Sequence, residues 1–434
     1  MSLMTALYSG ASGLDANSTE LSVVGDNISN ANTIGFKGSR AAFADAMAQN
    51  LIGSTPIGAG QRGLGVKLQM VQKILSQGSL VNTGISTDLG IEGAGFFAVR
   101  GQSSGKDGTY YTRAGQFTVD QDGYLVNLTG MRVQGYTADS TGALNATTVG
   151  DLQIGNAGTS PRATENVTLK ANLQADAVSP VDPFDPADAP NTSNFASSTT
   201  VFDSLGRSHQ VDIYFRKEPA SGEWTWFALT DGGNVNGGTA GTPSQIANGA
   251  LTFDTQGRLA TFSQSSNFEP LGAVTPQALN FDFGDPTDST GTGLAGITQF
   301  ASPSSTSFLN QDGYDSGSLV RVNINSSGEI VGVFTNGQTR NLAQVAIANF
   351  EAPDQLARMG GNLFQQTRTS GVPTMGQPAT ADRGTVVAGA LEQSNVDMAA
   401  EFIRMIAAQR GFQANSKTLT TADSLLAELM TIKR

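Results

Sequence analysis

Apolar residues recur at seven-residue intervals at both ends of the chain. Near the start the repeat consists of Leu7, Leu14, Leu21 and Ile28. Near the end it consists of Met398, Met405, Phe412, Leu419 and Leu426, with Phe402 at an intervening four-residue step. Such a repeat is typical of a helix that packs along one stripe against another helix. It predicts one helix over residues 3–30, roughly 40 Å long, and another over 395–430, roughly 50 Å long.

The two terminal helices have two possible arrangements. Each is long enough to form a coiled-coil pair with the other, or each can pack on its own domain. The occurrence of the same repeat at both ends favours the pair.

Between the ends, the apolar period changes from seven to two. Val320, Val322 and Ile324 alternate with polar residues, and turn residues follow at 326–328 and 336–337. The same alternation predicts strands around 211–215 and 224–226, and a hairpin that turns at 122–123. The 52 glycines suit a β-rich protein with many tight turns. We therefore predict a multidomain, mainly β protein with long α-helical termini.

Turn-rich segments divide the middle of the chain. Prolines and aspartates cluster at 180–190, and glycines at 231–241. They suggest discontinuous, nested β domains. The predicted parts are a terminal two-helix coiled-coil domain (1–32 and 398–434), an extended connector (33–72 and 371–397), an inner β domain (73–149 and 311–370) and an inserted outer β domain (150–310).

The residues required by common kinds of catalysis are missing. There is no cysteine, and His209 is the single histidine, within an alternating run that suggests a strand edge or turn. It has no second histidine or cysteine with which to share a metal, and no GxSxG motif accompanies it. We therefore expect no enzyme activity, cofactor or metal, and a structural or solvent-facing His209.

The charge balance also argues against some partners. The net charge is −12, and no Lys/Arg cluster interrupts it. Nucleic acid and anionic membranes are therefore poor partners. The first ten residues lack the basic and apolar regions of a signal peptide, and no segment approaches the roughly 20 apolar residues of a membrane span.

One sequence block carries a specific resemblance. Residues 27–38, NISNANTIGFKG, resemble the signature that ends the first helix in the axial rod and hook proteins of the bacterial flagellum. Its asparagines can end a helix and cap turns, and its glycines allow bends around an apolar residue. The signature residues are Asn27, Asn30, Asn32, Gly35, Phe36 and Lys37. Blocks similar to the same family occupy 88–99, 111–127, 344–350 and 390–419.

The resemblance implies a structural role. Because hook proteins insert an outer β domain, as 150–310 does here, it implies a hook subunit that polymerises into a curved hollow tube. Such a tube acts as a universal joint that carries motor torque from rod to filament. The terminal helices would line the inner tube and hold the polymer through the apolar ladder residues. The nearest alternative is a distal rod subunit.

A third hypothesis comes from a different class of protein. The β-rich middle could be a glycan-binding surface module. Its aromatic platform would consist of Phe202, Tyr214, Trp224, Trp226 and Phe227.

Family membership further implies partners and a location. The partners are other copies of the chain, the distal rod protein, the hook-cap protein, the hook-filament junction proteins and the flagellar type III export apparatus. The location is the extracellular flagellar hook, reached without cleavage of a signal peptide. Phe43 and Met47 match an export gate motif of a phenylalanine followed four residues later by an apolar residue.

Overall fold

The computed structural model describes residues 3–46, 49–50, 61–103, 105–155, 157–289 and 291–432. The chain forms two compact units. The first unit consists of Met1–Ala157, Leu319–Val333 and Thr339–Arg434, and the second of Gly158–Ser318 and Phe334–Gln338. This division keeps the terminal helices in the same unit as the β structure next to them. The finer division into four parts stays a prediction.

The elements follow one another in this order. The first stretch of the first unit contains α1 (Leu3–Ser29), β1 (Ser39–Asp45), β2 (Gln49–Asn50), β3 (Gln61–Arg62), β4 (Val66–Lys73), β5 (Leu80–Asn82), β6 (Leu89–Glu92), β7 (Phe96–Ser103), β8 (Lys106–Thr112), β9 (Phe117–Val119), β10 (Leu125–Asn127), β11 (Arg132–Ala138) and β12 (Leu144–Asp151). The second unit contains β13 (Gly158–Thr159), β14 (Asn166–Gln174), a 3-10 helix (Pro186–Asp188), α2 (Ala189–Thr192), β15 (Phe195–Phe202), β16 (Ser208–Lys217), β17 (Glu223–Asp231), a 3-10 helix (Gly232–Asn234), β18 (Pro243–Phe253), β19 (Leu259–Phe262), β20 (Ser265–Ser266), β21 (Asn280–Asp282), β22 (Thr298–Phe300) and β23 (Ser305–Gln311). The chain continues with β24 (Gly317–Ile324), β25 (Glu329–Phe334), β26 (Thr339–Val345), β27 (Ile347–Asn349), a 3-10 helix (Pro353–Gln355), β28 (Ala357–Gly360), β29 (Leu363–Gln365), β30 (Thr374–Gly376), β31 (Thr385–Ala388), β32 (Ala390–Glu392) and α3 (Met398–Ile432).

The predicted fold class is confirmed, because long helices lie at both ends of a mainly β chain. α3 begins where Asp397 caps it: the Asp397 carboxylate accepts hydrogen bonds from the backbone N–H groups of Ala399 and Ala400, at 2.8 and 3.2 Å. Such a cap satisfies N–H groups that the first helical turn leaves without partners. The predicted strands also form, including the hairpin from β9 to β10 that turns at Gly123 (φ 83°).

The first unit is organised around an antiparallel sheet. Its strands lie in the order β25, β26, β11, β7, β8, β29, β28, so that three strands from the first half of the chain lie between two pairs from the second half. Leu89, Phe97, Tyr110 and Phe117 are among its most buried side chains. Beside α1, β1 and β4 form a separate antiparallel pair within the predicted connector.

The second unit has its own aromatic core. β15 to β19 form an antiparallel sheet in chain order, and β14 pairs with β21, β22 and β23. Trp224 and Trp226 are fully buried, and the Trp226 ring lies 4.9 Å from that of Phe283, edge to face. A side chain without exposed surface cannot stack on a sugar. This burial removes both tryptophans from the proposed glycan platform.

His209 is a structural residue of the second unit. It lies near the start of β16, opposite Val201, and is buried. Its Nε2 atom lies 3.2 Å from a carboxylate oxygen of Asp203. Burial would raise the pKa of Asp203, but hydrogen bonds from Arg207, His209 and Leu205 outweigh it and lower that pKa. The histidine therefore anchors a turn in the second unit.

Candidate assembly site

α1 and α3 contact each other through small and polar residues. On α1 the buried Gly10 and Gly13 lie against Asn415 of α3, and on α3 the buried residues are Glu401, Ala408 and Ala422. These three α3 residues lie on one seven-residue repeat, and that stripe is offset by three positions from the Met398 ladder. An offset of three residues places this stripe about 60° around the helix axis from the Met398 ladder. The contact between the helices, which we call the seam, is thus distinct from the apolar ladder.

Glycine permits the close approach at the seam. A Cβ atom on Gly13 would lie 2.5 Å from the side-chain nitrogen of Asn415, and one on Gly411 would lie 2.6 Å from the side-chain oxygen of Asn17. Each asparagine side chain therefore occupies space next to a glycine of the other helix and would have to shift if that glycine carried a Cβ atom. Glycine costs about 1 kcal/mol relative to alanine within a helix. Its positions here are explained by packing between helices.

Charged residues form one layer of the seam. Arg404 Nη1 lies 2.9 Å from Glu401 Oε1, and Glu401 is buried. Burial raises the pKa of Glu20 on α1; nearby Arg404 opposes this effect and Glu401 adds to it. The ion pair itself lies within α3, and across the seam Glu20 interacts electrostatically with both of its members.

The apolar ladder of α3 is only partly covered. Met398, Phe402 and Phe412 are exposed, whereas Met405, Leu419 and Leu426 are half-buried. The ladder of α1, consisting of Leu7, Leu14, Leu21 and Ile28, is half-buried as well.

Two neighbouring isoleucines extend this uncovered surface. Phe402 is 45% exposed, Ile403 68% and Ile406 50%. Sequence reasoning missed Ile403 and Ile406 because neither is in the seven-residue ladder. Their signal is that Phe402 and Ile406 lie one turn apart on the same helix. We call Phe402, Ile403 and Ile406 the apolar face of α3.

The signature block fixes the end of α1 to the β structure. The Asn27 amide donates to the backbone oxygen of Ser39 at 2.7 Å, and its side-chain oxygen accepts from the Ser39 N–H at 2.9 Å. Gly35 has a φ of 69°, and its N–H donates to the backbone oxygen of Glu392 at 2.7 Å. Phe36 is buried beneath the guanidinium group of Arg358, at 4.8 Å from the ring centroid.

The two remaining signature asparagines play a more local part. Asn30 bonds within its own turn, to the backbone oxygen of Asp26, and Asn32 is exposed.

Lys37 belongs to a buried charge cluster that joins distant parts of the chain. Its Nζ atom lies 2.6 Å from Glu392 Oε1, and Arg113 Nη1 lies 3.2 Å from Glu392 Oε2. Lys37 is 1% exposed, Arg113 5% and Glu392 0%. Burial lowers the pKa of Lys37 and of Arg113, and the Glu392 carboxylate opposes it in both. We call these three residues the charge cluster.

Sequence reasoning named only Lys37 of this cluster. Arg113 and Glu392 lie in two of the other blocks that carry the resemblance, 111–127 and 390–419. Membership of those blocks was the only signal that could have found them.

Asn27→Ala is expected to lower the free energy of unfolding of the first unit by about 1–3 kcal/mol, because it leaves two buried backbone groups of Ser39 without partners. Urea unfolding followed by far-UV circular dichroism measures this loss. Asn32→Ala, in the same block but exposed, serves as the control and should change little. Equal effects of the two substitutions would contradict the conclusion that Asn27 fixes the end of α1 to β1.

The predicted export motif is only partly within the described residues. Phe43 lies in β1, half-buried and opposite Leu68. Met47 lies outside the described residues, so the motif stays a prediction. Within the described ranges, no group of three or more acidic, histidine or cysteine residues could hold a metal ion. No helix there combines the length and apolar character needed to cross a bilayer.

Long helices with exposed apolar residues lie at both ends of a mainly β chain, and the domain matches place the chain among axial proteins of the bacterial flagellum. Four stretches match families described as "Flagella basal body rod protein" (7–37), "Flagellar hook protein FlgE/F/G D1 domain" (90–175), "Flagellar basal body protein FlaE D2 domain" (172–314) and "Flagellar basal body rod FlgEFG protein C-terminal" (387–432).

Full-length relatives narrow the class. The flagellar hook protein FlgE of Borreliella burgdorferi is 36% identical, with 99% of this chain and all of the relative covered. Those of Treponema pallidum and Escherichia coli are 32% and 33% identical, over 100% and 99% of this chain and all of each relative. The chain belongs to the FlgE family of flagellar hook proteins. A solved structure of Helicobacter pylori flagellar hook protein FlgE2 covers 72% of this chain and all of its own, with 16% identity and a TM-score of 0.49.

This family is structural, and the chain is a subunit of the flagellar hook. The rod alternative has less support, because the relatives matched over their full length are hook proteins.

Proposed function

We propose that the chain polymerises through the ladders of α1 and α3 and the apolar face of α3 into a curved hollow tube, which acts as a universal joint. The observation that carries this proposal is the exposure of Phe402, Ile403 and Ile406 on a helix that contacts α1 through a different stripe. Contiguous exposed apolar surface marks interaction sites in soluble proteins. The occupant is a neighbouring copy of the same chain.

A groove beside the seam offers further room for that neighbour. It has a volume of about 640 Å³ and is lined largely by small residues, including Ala6, Ala414, Thr418 and Ala422, with Leu425 at its edge. A contact between such unlike surfaces is heterologous, and it generates an open helical polymer such as a tube when its rotation does not close into a ring. Bending of the tube then requires the β domains to slide while the inner helices hold.

The finer organisation and partners are part of the same proposal. The terminal helices (1–32 and 398–434) form the inner tube and the inserted domain (150–310) its outer layer. The polymer meets the distal rod protein at one end and the hook-filament junction proteins at the other, and the hook-cap protein guides its growth. Export proceeds through the flagellar type III apparatus, with Phe43 and Met47 as its gate motif and no cleaved signal peptide.

Phe402→Ser combined with Ile406→Ser is expected to raise the critical concentration for polymerisation by about tenfold or more. Burying a large apolar side chain contributes about 1.5–3 kcal/mol, and each 1.4 kcal/mol is a factor of ten. Sedimentation of polymer from a concentration series measures the change. The far-UV spectrum of the monomer should be unchanged, because both side chains are exposed.

Gln413→Ser is the matched control. It introduces the same residue on the same face of α3, three turns further along, but removes a polar side chain. If the double variant polymerised like this control, the apolar face of α3 would not be an assembly surface.

A further inference from the structure

A cavity opens beside the charge cluster in the first unit. Its volume is about 300 Å³, which is several times the space of one water molecule. Gln77 and Ala94 lie at its exposed rim, and Lys37, Arg113 and Phe96 are buried in its wall. Glu392 does not line it. A ligand in this cavity would therefore meet the two cations of the cluster and not their carboxylate.

The cluster carries an unbalanced positive charge. Within the described ranges, Glu392 is the one carboxylate that pairs with Lys37 or Arg113, so two buried cations face one anion. Both oxygens of Glu392 are already engaged, since Oε1 also accepts from the Gly78 N–H at 2.9 Å. Burying a charge without a partner is costly. One further negative charge would balance the cluster.

Each of the two cations also has an N–H group without an acceptor among the described residues. Lys37 Nζ carries three N–H groups and donates to two oxygens, those of Ser76 and Glu392. The two Nη atoms of Arg113 donate to Ile91, Gly93 and Glu392, whereas its buried Nε has no acceptor in the part of the chain that the structure describes. Lysine and arginine donors of this kind bind carboxylate and phosphate oxygens.

We propose that this cavity binds one oxyanion, a carboxylate or a phosphate, between Lys37 and Arg113. The anion has two possible sources. It is either a free inorganic ion or an acidic side chain of a second copy of the chain, whose surplus of acidic residues gives a net charge of −12.

The first experiment uses the dilute, monomeric full chain. Sodium phosphate is titrated at constant ionic strength, with sodium chloride as the balance, while thermal unfolding and the ³¹P NMR linewidth are followed. The wild-type chain should show a saturable rise in unfolding temperature and broadening of the phosphate signal. Lys37→Met should weaken phosphate binding roughly tenfold, the usual size of one lost charge-assisted hydrogen bond. Lys106→Met, which removes an equal charge from an exposed position, should bind like the wild type.

The second experiment separates the two sources. Polymerisation of the wild-type chain is compared in phosphate and in chloride of equal ionic strength. If a neighbour's carboxylate fills the cavity, phosphate competes and slows polymerisation of the wild type more than that of Lys37→Met. If the occupant is a free ion, phosphate binds the monomer and does not slow polymerisation.

Phosphate that neither binds the wild-type monomer nor competes with its polymerisation would overturn the proposal. The ³¹P measurement needs only the wild-type chain, so this outcome can be determined even if Lys37→Met folds poorly. It also leaves the polymerisation proposal intact, because that rests on Phe402 and Ile406.

Discussion

Glu392→Gln is expected to lower the free energy of unfolding of the first unit by about 3–5 kcal/mol, the usual cost of removing one partner from a buried ion pair. Glutamine keeps the size of the side chain and loses its charge, so Lys37 and Arg113 are left buried without a counter-charge. Glu392 is fully buried and bonds to both of them. The loss should therefore exceed that of any single hydrogen bond at the same place.

The positions of the tryptophans allow the two units to be followed separately. Both Trp224 and Trp226 lie in the second unit, and the chain contains no other tryptophan. Far-UV circular dichroism, which includes α1 and α3, should report the loss, whereas tryptophan fluorescence should report an unchanged second unit. Glu92→Gln, exposed on neighbouring β6, is the control and should stay within about 0.5 kcal/mol of the wild type. An equal, small loss in both variants would contradict the role of the cluster.

The loss of unfolding free energy caused by Glu392→Gln, which we call the deficit, should also depend on pH. Burial already lowers the pKa of Lys37 below its ordinary 10.5, and loss of the carboxylate removes the opposing effect. The unfolded chain then binds the Lys37 proton over a range of pH where the folded chain has released it. Stability rises with pH wherever the unfolded state binds more protons. The deficit should therefore shrink as the pH is raised towards 10.5.

Removal of residues 1–32 together with 398–434 is expected to abolish polymerisation. It removes the ladders, the apolar face of α3 and the seam. Because both helices are removed together, neither is left with its seam surface exposed. The charge cluster stays, because Lys37, Arg113 and Glu392 all lie within 33–397. We expect a folded monomer, measured by sedimentation velocity and electron microscopy at concentrations where the full chain forms curved tubes.

Two different outcomes of the truncation would contradict the expected folded monomer, and each has its own meaning. Tubes formed by residues 33–397 would show that the β structure alone polymerises. Unfolding of this core would show that its stability requires the helices and the hydrogen bonds between Asn27 and Ser39. Straight tubes from the full chain would instead favour the rod geometry.

Residue periodicity was sufficient to predict the main elements. The seven-residue repeats placed α1 and α3 almost to their ends, and the two-residue alternation placed β16, β17, β24 and β25. Both periods arise from one face of an element being apolar, so they are visible in the local sequence. The antiparallel pairing of β1 with β4 was not predicted, because an intervening segment without a clear pattern separates the two strands.

The seam and the charge cluster could not be predicted in the same way. Gly13, Gly411 and Asn415 give no apolar signal, and their fit depends on the relative position of two helices. Lys37 and Glu392 are 355 residues apart, and no local pattern relates residues at such a distance. The ladder was visible in the sequence because it is apolar, but its exposure depends on which stripe the other helix covers.

The ion pair between Lys37 and Glu392 also sets an order of events in time. A chain that is delivered end first, whichever end leads, cannot close this junction until nearly all of it has emerged. The second unit draws almost all its strands from one continuous stretch, Gly158–Ser318, and can complete most of its contacts earlier. Contacts between residues far apart in sequence also form slowly for a separate reason, because closing a long loop costs conformational entropy. If the chain is exported end first, as proposed, the unit that carries α1 and α3 therefore completes its contacts after most of the second unit.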